Sequence, residues 1–422
     1  MSACRLNLLT SKSLIVPVLA MLIIISNCIA KDWPWFLGPN RDASANGTGL
    51  MKTWPESGPE VLWTTGLGVG FGGVAVHSEK VYILDRVKDK QDVLRCLDLA
   101  DGKEEWRFIN DAQGRISYPG SRSHPTVDEK HVFIIGPFGD LHCISKETHQ
   151  PIWKKNILKD FGGKTPRWAV SQSPAMYKDK VIVAPVSRDV GMVAYSRQTG
   201  DILWQSGAFE GDLAYASCMI TTIQGVDQVL YSTTKETVGV DANNGEILWR
   251  NNDWGCRIPT TSPMLIGEDR VFIVGGYDAG AAMFRIEKKE GKFVSSTLFK
   301  TEHCNGQIHQ PLLYKDHLYV NGNDKRFRRG MMCMDLQGDV KWQTGRTPQF
   351  EFGGLLLADD MIYIVDAEGD LCMVRPDPSG YKEVARVNLL SGKQIWATLA
   401  LVDGKLLLRD QAKLICVDVR GS

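Results

Sequence analysis

Hydrophobic and polar positions alternate in short runs along most of the chain. In the runs 131–135 and 269–274, β-branched and aromatic residues fill consecutive or alternate positions, and turn-forming residues lie on either side. Several such runs follow a proline, for example Pro125 and Pro263. A period near 3.6 residues is sustained nowhere, so amphipathic helices are not expected. The pattern predicts an all-β protein built from short strands.

One segment recurs along the chain and ends in Asp-x-x-x-Gly-x-x-x-Trp or a close variant. Copies lie at residues 97–106, 195–204, 240–249 and 334–342, with a weaker copy at 144–153 in which Thr148 and His149 stand near the position of the glycine. The tryptophans that end these segments, at positions 63, 106, 153, 204 and 249, are 43 to 51 residues apart, and eight copies fit the chain after residue 30. Each copy reads as four strands, and units of this length are typical of propeller blades, as in WD40-like and YVTN-like repeats. The sequence therefore predicts one eight-bladed β-propeller over residues 31–422.

The two ends of the repeat array predict how the ring closes. The last copy stops after its third strand, at residues 414–418, while residues 60–63 form a tryptophan strand with no repeat before it. If the N-terminal strand completes the last blade, two open sheet edges disappear. We therefore expect a closed ring rather than an open array.

The first 30 residues have the features of an export signal. Arg5 and Lys12 precede an apolar stretch from 13 to 25, and Ala30 ends a plausible cleavage site. An uncleaved anchor and lipidation of Cys28 stay open as alternatives. No later segment is apolar enough to span a bilayer. The expected location is the periplasm or another part of the cell envelope.

Composition and cysteine positions narrow the class of function. Lys plus Arg equals Asp plus Glu at 49 each, so no net field favours nucleic acid, and we expect none as a partner. His303, Cys304 and His309 lack a second close pair that would complete a metal site, and no metal is predicted. Four cysteines occupy one repeat position and are expected to be small buried residues: Cys96, Cys143, Cys333 and Cys416. A disulfide among Cys218, Cys256 and Cys304 stays open, and the protein is expected to be a monomer.

The repeat resembles the tryptophan-docking repeat of the PQQ-like, or quinoprotein-like, propellers, and residues 33–42 resemble the entry segment of such proteins from environmental bacteria. The family includes quinoprotein alcohol dehydrogenases and the lipoprotein of the outer-membrane β-barrel assembly machinery. The dehydrogenases use two adjacent cysteines, which this sequence lacks, and their calcium ligands and catalytic aspartate cannot be placed on it. The resemblance is therefore closest in style to the non-catalytic envelope propellers and implies no cofactor.

A candidate site follows from the strand order. The loops before the first strand and after the second strand of each blade share one end of the ring, here called the mouth. Candidate ligand-binding residues on these loops are Arg122, His124, Arg167, Trp168, Gln172, Tyr215, Arg257, Tyr277, His309, Gln310, Asn323, Glu351 and Arg409. Arginines fork onto oxyanions and aromatic rings stack on flat or apolar faces, so these residue types suit a small polar ligand.

Two functions stay open on this sequence. The first is a non-catalytic binding or assembly scaffold for a small polar ligand or a protein partner in the envelope. The second is a quinoprotein oxidoreductase that uses PQQ and Ca²⁺ to oxidise alcohols or aldoses. No catalytic residue is predicted for the first, and the second would require a cofactor site.

Overall fold

The computed structural model describes residues 32–323 and 328–421, together with Met1. The export signal and Cys28 lie outside the described residues, apart from Met1. Two strands precede the repeats, β1 (Ser44–Ala45) and β2 (Glu60–Gly66). The described residues contain one short 3-10 helix, Lys159–Phe161. No described helix is long and apolar enough to cross a membrane.

The repeats form antiparallel sheets of four strands. The first four blades contain these strands: β3 (Ala75–His77), β4 (Lys80–Val87), β5 (Gln91–Asp98) and β6 (Glu104–Asp111) in blade 1; β7 (Thr126–Val127), β8 (His131–Ile135), β9 (Asp140–Ser145) and β10 (Pro151–Asn156) in blade 2; β11 (Ala175–Tyr177), β12 (Lys180–Val183), β13 (Val193–Ser196) and β14 (Ile202–Gln205) in blade 3; and β15 (Met219–Ile223), β16 (Val226–Ser232), β17 (Thr237–Asp241) and β18 (Ile247–Asn251) in blade 4.

The other half of the ring repeats this plan. Its strands are β19 (Met264–Ile266), β20 (Arg270–Gly275), β21 (Gly280–Lys289) and β22 (Lys292–Thr301) in blade 5; β23 (Leu312–Tyr314), β24 (His317–Asn323), β25 (Arg328–Asp335) and β26 (Val340–Gln343) in blade 6; β27 (Leu355–Ala358), β28 (Met361–Val365), β29 (Asp370–Val374) and β30 (Glu383–Asn388) in blade 7; and β31 (Ala400–Val402), β32 (Lys405–Arg409) and β33 (Lys413–Asp418) in blade 8. The N-terminal β2 pairs with β33 and completes blade 8. The predicted all-β, eight-bladed propeller is confirmed, and so is closure by the N-terminal strand.

The contact between Trp63 and Gly102 shows what the repeated residues do. The Trp63 indole, on the outer strand of blade 8, donates its Nε1 proton to the Leu99 carbonyl in the last turn of blade 1, at 3.0 Å. Gly102 in that turn has φ +69°, and a Cβ atom there would lie 2.4 Å from the indole. Glycine is therefore required twice, for its backbone angle and for the approach of the ring. The same contact joins Trp204 to Gly245.

Two blades vary this contact without losing it. In blade 2, His149 stands in the glycine position with φ +59°. Its ring stacks on Trp106 with centroids 4.5 Å apart. In blade 5, Phe299 replaces the tryptophan and packs against Gly338 of the next blade. The repeat is thus a docking device between neighbouring blades.

The hydrophobic cores lie between adjacent blades. Tyr82 and Leu84 of blade 1, for example, share a buried cluster with Val132 and Ile134 of blade 2. All eight cysteines among the described residues are buried free thiols, as expected for the four at the repeat position. Cys218, Cys256 and Cys304 are free as well, so the structure contains no disulfide among them.

The segment 32–50, here called the plug, fills the channel at the centre of the ring. Trp33 pairs with Val76 on the innermost strand of blade 1, with N–O distances of 2.8 and 2.9 Å. At the other end of the plug, β1 runs parallel to β27, the innermost strand of blade 7. Both ends of the plug lie on the face opposite the mouth. Asp32 accepts a hydrogen bond from the Ser78 amide, and the Leu50 amide donates to Asp359. Ser78 and Asp359 each lie in the turn between the first and second strands of a blade, which is on that opposite face. The chain therefore enters the channel from one face, turns inside it and leaves by the same face.

Candidate functional site

The turn of the plug forms the floor of a cavity at the mouth, here called the cup. Phe36 and Leu37 lie at this turn and line the cavity. The turn is held by Arg41, whose guanidinium stacks on Trp35 at 4.3 Å and donates to the Met176 carbonyl at 2.8 Å. The cavity has a volume of about 170 Å³. Because the plug closes the channel below it, the cup is blind and opens only towards the mouth.

Aromatic rings form the walls of the cup in two groups. On one side the Trp168 ring lies 5.5 Å from Tyr215 and 6.5 Å from Tyr277, centroid to centroid. The backbone amide of Trp168 also donates to the Tyr215 hydroxyl at 3.3 Å. The second group comes from the connections into blades 8, 1 and 2: the Trp396 ring stacks on Phe71 at 5.0 Å, and Tyr118 lies 5.5 Å from Trp396. The cup thus offers apolar ring faces on opposite sides.

Arg122 lines the cup, but its guanidinium forms hydrogen bonds within its own loop. Its guanidinium donates to the carbonyls of Ser117, Tyr118 and Gly120 at 2.6 to 2.7 Å. Burial lowers the pKa of Arg122 to about 10, which leaves it charged at neutral pH. It also lies over the Phe71 ring, at 5.4 Å. Its role in the structure is to hold the loop that carries Tyr118 against the cup.

Two buried histidines lie at the base of the cup, and both are neutral. His124 Nδ1 donates to the Pro125 carbonyl at 2.9 Å, and His309 Nε2 donates to the Phe352 carbonyl at 2.8 Å. Burial lowers the pKa of each histidine to about 4, because the charged imidazolium loses its hydration. The base is therefore polar and uncharged at neutral pH.

Other polar groups of the cup lack partners. Buried side-chain oxygens of Thr260, Gln310 and Thr398 accept or donate no hydrogen bond among the described residues. All three residues line the cup. An unsatisfied buried polar group costs about 1–3 kcal/mol, so water or a ligand that reaches these oxygens is stabilised there.

A second depression, here called the groove, adjoins the cup over blades 3 to 5. It has a volume of about 780 Å³ and shares Trp168, Tyr215 and Tyr277 with the cup. Arg167 and Arg257 line it and lie over the rings of Trp168 and Tyr277, each at 5.5 Å. Both arginines are exposed. The groove is thus a charged extension of the aromatic cup.

Four of the predicted site residues lie outside the lining of the cup and the groove. Gln172 is buried and makes two 2.9 Å hydrogen bonds to the backbone of Ala184. Asn323 accepts from the Gly330 amide at 2.8 Å, and Glu351 accepts from Trp396 Nε1 at 3.1 Å. The structure therefore gives each of these three a supporting contact.

Arg409, the fourth, is buried beneath the glycine-rich connection 67–73. It donates to the carbonyls of Gly68 and Asp410 at 3.0 and 3.1 Å. Because this connection carries Phe71, the guanidinium supports one wall of the cup from behind. The remaining nine predicted residues line the cup, the groove or both: Arg122, His124, Arg167, Trp168, Tyr215, Arg257, Tyr277, His309 and Gln310.

Several residues that line the cup were not predicted from the sequence. Phe36 and Leu37 belong to the entry segment, whose path through the channel no periodic pattern reveals. Phe71 and Tyr118 lie in connections without repeat features, and Thr260 and Thr398 are single threonines among many. A signal existed for Phe71, because it is the sole large side chain in Gly68-Val69-Gly70-Phe71-Gly72-Gly73.

The lining of the cup does not fit a quinone held by calcium. Ca²⁺ prefers several oxygen ligands and usually takes carboxylates. No Asp or Glu is among the described residues that line the cup. In the same described ranges, no three His, Cys, Asp or Glu side chains gather as a metal site.

Comparison with known proteins agrees with the fold. BamB from Moraxella catarrhalis is similar at 13% identity, with a TM-score of 0.56 over 84% of this chain and 97% of that one. The quinohemoprotein alcohol dehydrogenase of Comamonas testosteroni is similar at 12% identity, with a TM-score of 0.63 over 93% and 81%. A europium-containing methanol dehydrogenase is similar at 11% identity, with a TM-score of 0.66 over 90% of this chain and 89% of that one. At such identities the likeness shows the fold alone.

Sequence comparison identifies the family. No curated protein gives a significant match to the chain. The PQQ-like family model described as outer membrane protein assembly factor BamB matches residues 89–290 and 233–400, which together span most of the ring. The chain therefore belongs to this PQQ-like propeller family.

Proposed function

We propose that the protein is an exported, non-catalytic binding protein that holds one ring of a small polar ligand in the cup. The observation that carries this proposal is the plug: it turns an open channel into a blind cavity with aromatic walls. Enclosed, mostly apolar cavities with a few polar groups are the usual form of small-molecule sites.

The size of the cup supports a single ring. A buried cavity of roughly 150 Å³ holds one benzene molecule. The cup, at about 170 Å³, is of the same order. Ring faces of the ligand would pack on Trp168 and Trp396, while its polar edge would face polar lining residues such as Ser171 and Tyr215. The part of the ligand inside the cup is uncharged in this proposal, because the histidines at the base are neutral and the Arg122 guanidinium donates to backbone carbonyls of its own loop.

The chemistry of the lining supports binding rather than catalysis. General acid–base catalysis works best with a group whose pKa lies near the working pH. His124 and His309 have pKa values near 4, and each uses one ring nitrogen on a backbone carbonyl. The described lining residues include neither a cysteine nor a carboxylate.

Family membership supports a place in the cell envelope. The family model is named for an outer membrane assembly factor, and the features of residues 1–30 are those of an export signal. We extend the proposal to a periplasmic or envelope location, with a lipid at Cys28 as one form of anchoring. A protein partner at the mouth is the second candidate function, which the likeness to BamB favours.

Saturation-transfer NMR with neutral monocyclic probes tests the cup directly. We expect transfer from the protein to methyl pyranosides or similar rings, and loss of transfer in Trp168→Ala and Trp396→Ala. Phe293→Ala, on an outer strand far from the mouth, is the matched control and should keep it. Absence of transfer to every probe, or equal transfer in all variants, would contradict the proposal.

A spectrum tests the oxidoreductase alternative. The protein is mixed with PQQ and Ca²⁺, and its absorbance and dye reduction are recorded with alcohols and aldoses. We expect no calcium-dependent quinone band and no turnover. A band together with calcium-dependent dye reduction would replace the binding proposal by the dehydrogenase function.

A further inference from the structure

The groove beside the cup carries an unbalanced positive charge. Four exposed cations line it, Lys164, Arg167, Arg188 and Arg257. Asp212 is the one carboxylate among the described residues that line it. The chain as a whole is balanced, so this excess is a local feature of the mouth.

The charge of these four cations is not neutralised by ion pairs with described residues. Some other exposed cations of the chain are paired, for example Arg107 with Glu104 and Lys382 with Asp377. None of the four groove cations makes an ion pair with a described carboxylate. Like charges gathered in one depression repel each other and raise the local concentration of anions. The groove is therefore arranged for an anionic occupant.

The cations are presented by ordered loops. Arg167 follows Pro166 in a turn closed by the Ala169 amide on the Pro166 carbonyl, at 2.9 Å. Arg188 lies in a turn closed by the Ser187 amide on the Val190 carbonyl, at 2.8 Å. Both loops belong to blade 3, whereas Arg257 lies in the connection into blade 5, so the positive charge is spread along the groove. A spread of charge suits several anionic groups better than one.

Cup and groove form one continuous surface. The rings of Trp168, Tyr215 and Tyr277 line both, so a ligand with one ring in the cup extends directly into the groove. The groove, at about 780 Å³, lies within the usual range for ligand pockets of ~300–1,000 Å³ and has room for further rings.

We propose that the ligand is an acidic oligosaccharide, with one sugar ring in the cup and the carboxylate or sulfate groups of neighbouring rings in the groove. This rests on the proposed function. A pyranose offers apolar C–H faces to Trp168 and Trp396, and its hydroxyl groups, which both donate and accept, suit polar side chains of the lining such as Ser171 and Tyr215. A purely aromatic anion would offer no hydroxyl groups to these side chains.

Calorimetric titration with two trisaccharides tests the proposal. The probes are α-1,4-linked trigalacturonate and neutral α-1,4-galactotriose, and the readout is the ratio of their dissociation constants. We expect the acid to bind about tenfold more tightly at low ionic strength. The preference should shrink at 0.5 M NaCl, because salt screens exposed charges.

Variants that remove positive charge test whether the preference for the acidic trisaccharide arises in the groove. In Lys164→Gln/Arg188→Gln we expect the ratio to fall by about threefold to tenfold, since exposed ion pairs are individually weak. Arg115→Gln/Arg346→Gln is the matched control, because it removes the same charge from exposed mouth loops outside the groove. Its ratio should equal that of the unchanged protein. A titration of the sulfated trisaccharide then distinguishes sulfate from carboxylate as the preferred anion.

Each result of the trisaccharide titrations either supports or overturns the proposal of an acidic ligand. Equal binding of both trisaccharides, or a preference that survives in the groove variant, overturns the acidic ligand and leaves the cup proposal standing. Binding of neither trisaccharide overturns the acidic saccharide. The cup proposal also fails if the monocyclic probes show no transfer.

Discussion

Replacing Gly102 by alanine should destabilise the ring far more than replacing Gly225 by alanine. Both glycines have positive φ, +69° and +75°. The left-handed backbone therefore costs alanine about 1–2 kcal/mol at either position. They differ in their surroundings: an added Cβ meets nothing within 4 Å at position 225, but lies 2.4 Å from the Trp63 ring at position 102. Gly225→Ala is thus a matched control for backbone strain alone.

The additional cost at position 102 follows from the contact with Trp63. A carbon at 2.4 Å forces the indole to shift, and overpacking of this kind costs about 1–3 kcal/mol. The shift also breaks the hydrogen bond from Trp63 Nε1 to the Leu99 carbonyl, worth about 1 kcal/mol. We therefore expect Gly102→Ala to lower the free energy of unfolding by about 2–4 kcal/mol more than Gly225→Ala.

Urea denaturation followed by circular dichroism measures both variants, and a double-mutant cycle with Trp63→Ala isolates the contact. In the Trp63→Ala background the added methyl group has room, so Gly102→Ala should cost only the backbone strain. Equal destabilisation by the two glycine variants would refute the reasoning. So would a Gly102→Ala cost that is unchanged when the indole is absent. Because Trp63 closes the ring, the result also measures how strongly blade 8 holds blade 1.

Three further predictions concern the buried groups and the plug. The free energy of unfolding should fall as the pH drops from about 6.5 to 4, by up to about 1.4 kcal/mol per pH unit for each of His124, His142 and His309. The reason is that the pKa of each histidine is about 4 in the folded protein and higher in the unfolded chain, so only the unfolded chain gains protons in this range. Urea denaturation at several pH values should show this slope, and His142→Gln should reduce it. Burial raises the pKa of the Cys304 thiol to about 12, and the other described thiols are buried too, so protein lacking residues 1–30 should react with Ellman's reagent only after unfolding; fast reaction in the native state would contradict this. Phe36→Ala should weaken binding of neutral probes in the cup about tenfold, measured by NMR titration, while Lys52→Ala at the exit of the plug should not; equal effects would refute the role of the floor.

The ring could be predicted from the sequence because each blade repeats the same local physics. A glycine with positive φ and a tryptophan that packs on it leave a fixed spacing in the chain, as at Gly245 and Trp204. The weak copy was recognisable for the same reason, and the structure shows His149 in the backbone conformation of the missing glycine. Closure was predictable because β2 had no repeat before it.

The cup could be predicted only in part. Trp168, Tyr215 and Tyr277 could be predicted because their places in the repeat put them at the mouth. The role of Arg122 could not be predicted, since its guanidinium donates to backbone carbonyls that only the folded loop brings within 2.7 Å. The sequence likewise predicts Arg409 to lie at the mouth, but in the structure it lies beneath the connection that carries Phe71.

The plug changes how the mouth must work. In an open channel a ligand could enter from either face, and loop charges at one end would not control access. With Trp33 and β1 fixed to the innermost strands, a ligand reaches the cup only past the mouth loops. The cations of the groove therefore lie where they can select what enters, while the neutral base of the cup recognises the ring itself. Charge selection and ring recognition are thus assigned to different surfaces, which is why variants of Lys164 and Arg188 should separate them.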